Sequence, residues 1–322
     1  MKGMASVILF ILYGENALKK FLPYIMIASG ASLWGIIAFF VKGLGAYDFT
    51  AMEIVAIRVI FAAIFLLIIG FIRYPKEMKL KEIKDIRLFI GTGILSIVFF
   101  NFCYFTTISQ MNISVAVILL YTSPAFVTIL SFIFLKESLT ITKLAAVAGT
   151  ILGCVLIAGV TIGDSNITVI GIITGLGSGL GYALYTIFGK FALKKYQPFT
   201  ITLYTFLIAA IALIPVTRLW TKLELLMDMN VLLYSIGLGL IPTVLAYFLY
   251  TWGLEKTEGS KAAIIATVEP VVATILGVFL YGEKLVFLQI IGALFILGSV
   301  LIVNISFGKK RVNQSENTDL AQ

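Results

Sequence analysis

The chain contains no histidine among its 322 residues. That absence removes the commonest general base and metal ligand and weakens any catalytic reading. Cysteine occurs twice, at Cys103 and Cys154, each inside an apolar run, so a structural disulfide is not expected. Charge is scarce as well. Asp, Glu, Lys and Arg together make up 12% of the residues, about half the share in a soluble domain. No glycine-rich phosphate loop is present, so nucleotide-driven work by this chain alone is not expected either. What remains is apolar: 60% of residues are hydrophobic and the mean hydropathy is +1.07. These values describe a polytopic membrane protein whose solvent is the lipid bilayer. A net charge of +8 raises the question of a nucleic-acid partner, but the bases are spread along the chain and fit membrane orientation instead.

A bilayer core about 30 Å thick needs about 20 helical residues to cross it. Ten runs qualify: 22–41, 51–72, 88–108, 113–135, 143–162, 168–189, 199–217, 231–252, 261–281 and 286–307. The earlier apolar run Val7–Tyr13 is too short to span, and no signal-peptide cleavage pattern follows it. Placing the N-terminus in the cytoplasm puts 19 of the 24 Lys and Arg residues inside and four outside (Lys42, Arg218, Lys222, Lys284), with Arg58 in the second span. The positive-inside rule then sets both termini in the cytoplasm of a multi-pass cell-membrane protein. Between Pro75 and Arg87, apolar Met78, Ile83 and Ile86 alternate with charges, which predicts a short helix on the inner membrane surface.

The chain also repeats itself. Gly91–Leu139 aligns without a gap on Gly237–Leu285, 146 positions later, and 14 of the 49 pairs are identical. Pro124/Pro270, Tyr104/Tyr250, Ser114/Ser260 and Glu137/Glu283 are among them. Each copy belongs to a half with five spans, an odd number, so the halves must lie in opposite orientations, a common plan for secondary transporters. The expected organisation is a cytoplasmic segment 1–21, a five-helix repeat 22–162, a second, inverted repeat 168–307 and a polar cytoplasmic tail 308–322 expected to be disordered. The fold class is therefore an all-α integral membrane protein with ten transmembrane helices in two inverted five-helix repeats.

Several ordered signatures carry a family resemblance. The second span reads Glu53 through Arg58 to Ala62-Ala63, and the fourth reads Tyr121-Thr122-Ser123-Pro124 and ends at Glu137. The ninth repeats that pattern as Glu269-Pro270 ending at Glu283, and the fifth and tenth spans follow with paired glycines. Taken in this order, twice, the chain resembles the EamA-type branch of the drug/metabolite transporter superfamily over nearly its whole length. The resemblance implies ten helices in two inverted repeats. It further implies small-molecule transport, often export, through a cavity lined by the third, fourth, eighth and ninth helices. It names no substrate. The proton-site acid of small multidrug relatives has no counterpart in residues 22–41.

Glu269 is the acid nearest the middle of a span. A carboxylate at that depth must face a cavity, find a partner or take up a proton, which makes it a candidate for substrate binding and proton coupling. The alternative is a backbone-bonded acid beside a proline bend. Pro124 and Pro270 bend their helices near the midplane, either as pathway elements or as fixed kinks shaping the bundle. Arg58 either snorkels, or neutralises an anionic solute, or anchors polar groups between helices, and the last reading is preferred. Asn101 and Tyr104 share a face of the third helix, and their repeat mates Tyr247 and Tyr250 share one on the eighth; these are candidate pathway residues. Inversion would set Tyr104 toward the outside and Tyr250 toward the inside. Trp34, Tyr121 and Ser123 complete the set, with Tyr185 as a lesser candidate. Gly171, Gly175, Gly179 and Gly177, Gly181 give the sixth span a small-residue face suited to close packing.

The expected activity is alternating-access transport of a small polar or amphipathic metabolite, amino acid-like or drug-like, with neither metal nor organic cofactor. Export with proton exchange and facilitated diffusion are the two energetic routes considered. An intramembrane enzyme or sensor, or a facilitative channel, are the competing classes. Oligomeric state is not encoded in any pattern found.

Overall fold

Backbone hydrogen bonding in lipid leaves helices as the solution for long apolar runs, and every regular element among the described residues is a helix. The structure, a computed structural model, describes residues 21–159 and 168–319, with side chains to residue 303. The expected N-terminal segment and most of the link between the halves lie outside the described residues.

Ten long helices run in order: α1 Phe21–Gly45, α2 Ala51–Arg73, α3 Ile83–Gln110, α4 Ile113–Leu135, α5 Ile141–Ala158, α6 Val169–Ala192, α7 Pro198–Thr217, α8 Met229–Glu255, α9 Gly259–Tyr281 and α10 Phe287–Asp319. The first nine are long and apolar enough to cross a membrane; α10 carries a shorter apolar stretch, Phe287–Val303. Their outer surfaces stay apolar and exposed, as at Phe71, Ile72 and Phe279, which suits a lipid-facing wall.

Local sequence explains where helices start and bend. Thr50 opens α2 with a capping box: its hydroxyl accepts from Glu53 N, and Glu53 Oε2 accepts from Thr50 N at 2.7 Å. That bond, with an ion pair to Lys222 at 2.8 Å, occupies Glu53 at the helix end, away from Arg58. The interruptions come in pairs. α3 widens to a π-helix over Gly91–Val98 and α8 over Leu240–Leu245. α4 breaks at Tyr121-Thr122 and α9 at Thr267, just before Pro124 and Pro270, which have no N–H to give. Thr128 and its repeat mate Thr274 then donate back to the carbonyls of those prolines at 2.7 and 2.8 Å. Both helices end on a left-handed residue, Lys136 (φ 58°) and Gly282 (φ 67°).

Packing follows the same pairing. α1 packs on α8 as α6 packs on α3, while α2–α7, α4–α9 and α5–α10 pair within their own kind. This set of contacts maps onto itself when α1–α5 is exchanged with α6–α10. The largest apolar core joins α1, α2, α7 and α8, with Leu66, Phe206, Leu213 and Leu238 fully buried.

Two expectations change. Residues 75–82 form turns and loop, and helix starts at Ile83, so 83–87 begin α3 while the expected surface helix is replaced by a loop over 75–82. Its backbone bonds go elsewhere: Thr200 and Tyr204 donate to Glu77 and Met78 carbonyls at 2.7 and 2.6 Å, and Lys81 N donates to Tyr196 Oη at 2.9 Å. Tertiary partners outcompete the helical ladder there. The polar tail expected to be disordered beyond 307 instead continues the backbone of α10 as helix through Asp319.

Candidate functional site

Two glycines on α1 set the site. A Cβ on Gly30 would lie 2.6 Å from the Ala246 carbonyl oxygen on α8, and one on Gly35 3.0 Å from the Glu269 carbonyl oxygen on α9. Only glycine permits that approach, and between the two positions α1 presents Trp34. Trp34 is buried at 6% exposure, with ring centroids 5.9 Å from Tyr182, 5.0 Å from Tyr247 and 5.1 Å from Tyr250. Tyr185 stacks edge-on with Tyr247 at 5.0 Å, and Phe100 with Tyr182 at 5.7 Å. Aromatic rings from α1, α3, α6 and α8 thus line one central space, which is narrow enough to hold about one water.

The hydroxyls of this ring cluster are mostly satisfied from neighbouring helices. Tyr185 shares a bond with Thr251 at 2.6 Å, and Tyr250 with Thr186 at 2.7 Å. Tyr182 donates to Glu269 Oε2 at 3.1 Å. Glu269 sits in the first turn of the second half of α9, where the helix dipole favours a negative charge. The residue is half-buried.

Arg58 does not snorkel. It is 6% exposed, and its Nε and Nη2 have no hydrogen-bond partner among the described residues. It lies within electrostatic reach of Glu269 and Tyr247, yet forms no ion pair with Glu269 among the described residues. The Trp34 Nε1 is likewise buried and unpartnered. Arg58 and Trp34 thus leave three buried nitrogen donors unmatched among the described residues, and Glu269 accepts a single hydroxyl.

Of the other residues singled out from sequence, Tyr121 is buried beside Cys154 and Val271, and together with Tyr104 it lies within reach of the Glu269 charge. Tyr104 stacks on Phe100 at 6.0 Å. Ser123 is buried at the start of the second half of α4. Asn101 donates its amide to the Ile97 carbonyl at 2.7 Å, at the end of the π-helical stretch. Of the residues singled out from sequence, Trp34, Tyr185, Tyr247 and Tyr250 line the ring-lined space, while Asn101, Tyr104, Tyr121, Ser123, Arg58 and Glu269 lie outside its lining. Tyr182 was not foreseen. Its only sequence signal is its place three residues before Tyr185, on the same face of α6.

The EamA-like transporter family model matches twice, over residues 21–159 and 169–305. An uncharacterized transporter from Archaeoglobus fulgidus is 29% identical over 295 residues, covering 90% of this chain and 96% of its own. The uncharacterized transporter YwfM of Bacillus subtilis is 32% identical over 205 residues, covering 62% of this chain and 67% of that one. A solved crystal structure superposes with a TM-score of 0.70 at 15% identity, over 88% of this chain and 96% of the other, and shares the fold. With both halves matched, the chain is a membrane transporter that belongs to the EamA-like transporter family.

Proposed function

We propose that this protein is a secondary transporter that moves a small amphipathic solute by alternating access through the Trp34-centred space. The observation that carries the reading is the set of unmatched donors: Arg58 Nε and Nη2 and Trp34 Nε1. A buried donor without a partner costs about 1–3 kcal/mol, more when it is charged. Such a cost is offset when a solute supplies the acceptor. Glu269, joined to this space through the Tyr182 hydroxyl, takes a donor or ammonium group, and the rings of Trp34, Tyr182 and Tyr247 cover an apolar or cationic body.

The cargo class that matches is a compact molecule with an acceptor at one end and a donor at the other, as in an amino acid. A drug-like cation would use Glu269 and the rings alone. Because the space as described is too small for such a solute, the halves must rock apart to admit it. Inverted five-helix repeats supply that motion, with both termini cytoplasmic and the lysine-rich helix ends facing inward. Export in exchange for protons carried by Glu269 is the energetic route preferred.

Proteoliposomes test the coupling. Glu269→Gln should abolish pH-driven accumulation while sparing equilibrative exchange. Unchanged pH-driven accumulation would remove Glu269 from the mechanism.

A further inference from the structure

Glu137 and Glu283 are repeat mates, 146 residues apart, yet they are engaged differently. Glu137, just past the end of α4, reaches the start of α9. Its Oε1 accepts from Gly259 N at 2.6 Å, and its Oε2 from Ser260 N at 3.1 Å and Ser260 Oγ at 2.5 Å. Glu258, the residue that would ordinarily cap this helix, makes no side-chain cap bond. Glu137 takes its place from the opposite repeat. Around it, Lys143 Nζ approaches Glu137 at 3.8 Å and Glu258 at 3.0 Å and donates to the Ser138 carbonyl at 2.9 Å. Lys190 of α6 donates to the carbonyls of Leu254 and Thr257 at 3.1 and 2.9 Å. These bonds fasten α4, α5, α6, α8 and α9 to one another at this end of the bundle, beside an open cavity of about 400 Å³ that Glu137, Lys190 and Glu258 line.

At the other end the same parts are present and apart. The Glu283 carboxylate lies over Gly277 of its own helix and makes no hydrogen bond or ion pair among the described residues. The start of α4 offers the matching donors: Asn112 makes no side-chain cap bond, Ile113 is 60% exposed, and Ser114 is the mate of Ser260. Lys143 has Gln289 as its mate, so this second arrangement lacks the supporting lysine.

We propose that Glu137 and Glu283 are alternating latches, each closing its own end of the pathway by capping the first turn of the opposite repeat's helix. The inference rests on the alternating-access reading. In the state described here Glu137 is fastened on α9. In the alternate state Glu283 accepts from Ile113 N, Ser114 N and Ser114 Oγ, and Glu137 is released. The lysine beside Glu137 makes the first latch the stronger, so the described state is the resting one. Both glutamates are positioning residues that set which end is open.

Disulfide trapping tests this in the full-length protein in liposomes. Asn112→Cys paired with Lys284→Cys mirrors Glu258 and Ser138, which one lysine amine bridges at the fastened end, so the pair should cross-link only in the alternate state. Glu137→Gln, or the milder Ser260→Ala, should raise the cross-linking yield, by about tenfold for the loss of charge-assisted bonds in Glu137→Gln. Adding Glu283→Gln should return it toward the starting yield. A yield that ignores both glutamates overturns the latches while leaving alternating access standing. A pair that never cross-links in any variant, with Glu137→Gln properly folded, overturns both.

Discussion

The Tyr182 hydroxyl donates to Glu269 Oε2 at 3.1 Å, tying α6 to α9 across the middle of the bundle. The two residues are 87 positions apart within the second repeat, and the repeat mate of Glu269 is Ser123, so the acid has no counterpart in the first. Tyr182→Phe removes the hydrogen bond and leaves the ring contacts with Trp34 and Phe100 in place. Solute affinity should fall about fivefold, the worth of roughly 1 kcal/mol, with the melting temperature little changed. Half-saturation constants for uptake would show this; an unchanged constant would place Glu269 outside the binding path.

Arg58 distinguishes a binding role from an anchoring one. Replacing a buried unpaired charge by an apolar chain removes its desolvation cost. Arg58→Met should therefore melt no lower than the parent without solute, while losing the stabilisation that carboxylate-bearing solutes give in a thermal-shift screen. A structural anchor would behave the opposite way, with a lower melting temperature and intact solute response.

The helical spans were legible because they rest on a local quantity, run length: nine helices are long and apolar enough to cross, and the tenth run appears as the shorter apolar stretch Phe287–Val303. The paired prolines likewise announced breaks that the helices show at Tyr121-Thr122 and Thr267. The site was less legible because it depends on which faces meet. Tyr182 matters through a partner on α9, and Arg58 through burial that a five-residue spacing from Glu53 gave no hint of. Asn101 looked free, yet the Ile97 carbonyl next to the widened ladder claims it. The loop 75–82 read as an amphipathic helix because Thr200, Tyr204 and Tyr196, more than a hundred residues away, could not be seen to take its backbone groups.

Close helix approach gives a prediction about stability. Gly30→Leu drives a side chain into the α8 backbone, where a Cβ alone would come within 2.6 Å of the Ala246 carbonyl oxygen. Folded yield should collapse, since backbone cannot shift as a side chain does. A Cβ on Gly298 would meet nothing within 4 Å, so Gly298→Ala should leave yield and melting temperature unchanged. Equal tolerance at both positions would mean α1 does not press on α8.

The end fastened by Glu137 should respond to acid. Glu258 lies between the spans; burial pushes its carboxyl up, but the hydrogen bond and charge of Lys143 and the charge of Lys261 outweigh that and hold it below the ordinary glutamate range. A depressed carboxyl contributes its stabilisation fully above the ordinary range, and loses it as pH falls through the lowered value. Labelling of a cysteine placed at Ser260 should rise on acidification, and Glu258→Gln should flatten that rise. Labelling independent of pH in the parent would separate Glu258 from the closure.

Counterflow in liposomes containing only the purified protein tests the central claim most directly. A solute that raises the melting temperature should enter preloaded vesicles by saturable, trans-stimulated exchange, and Arg58→Met should abolish it. Flux that rises linearly with concentration and ignores solute on the far side would contradict a carrier with a single central site.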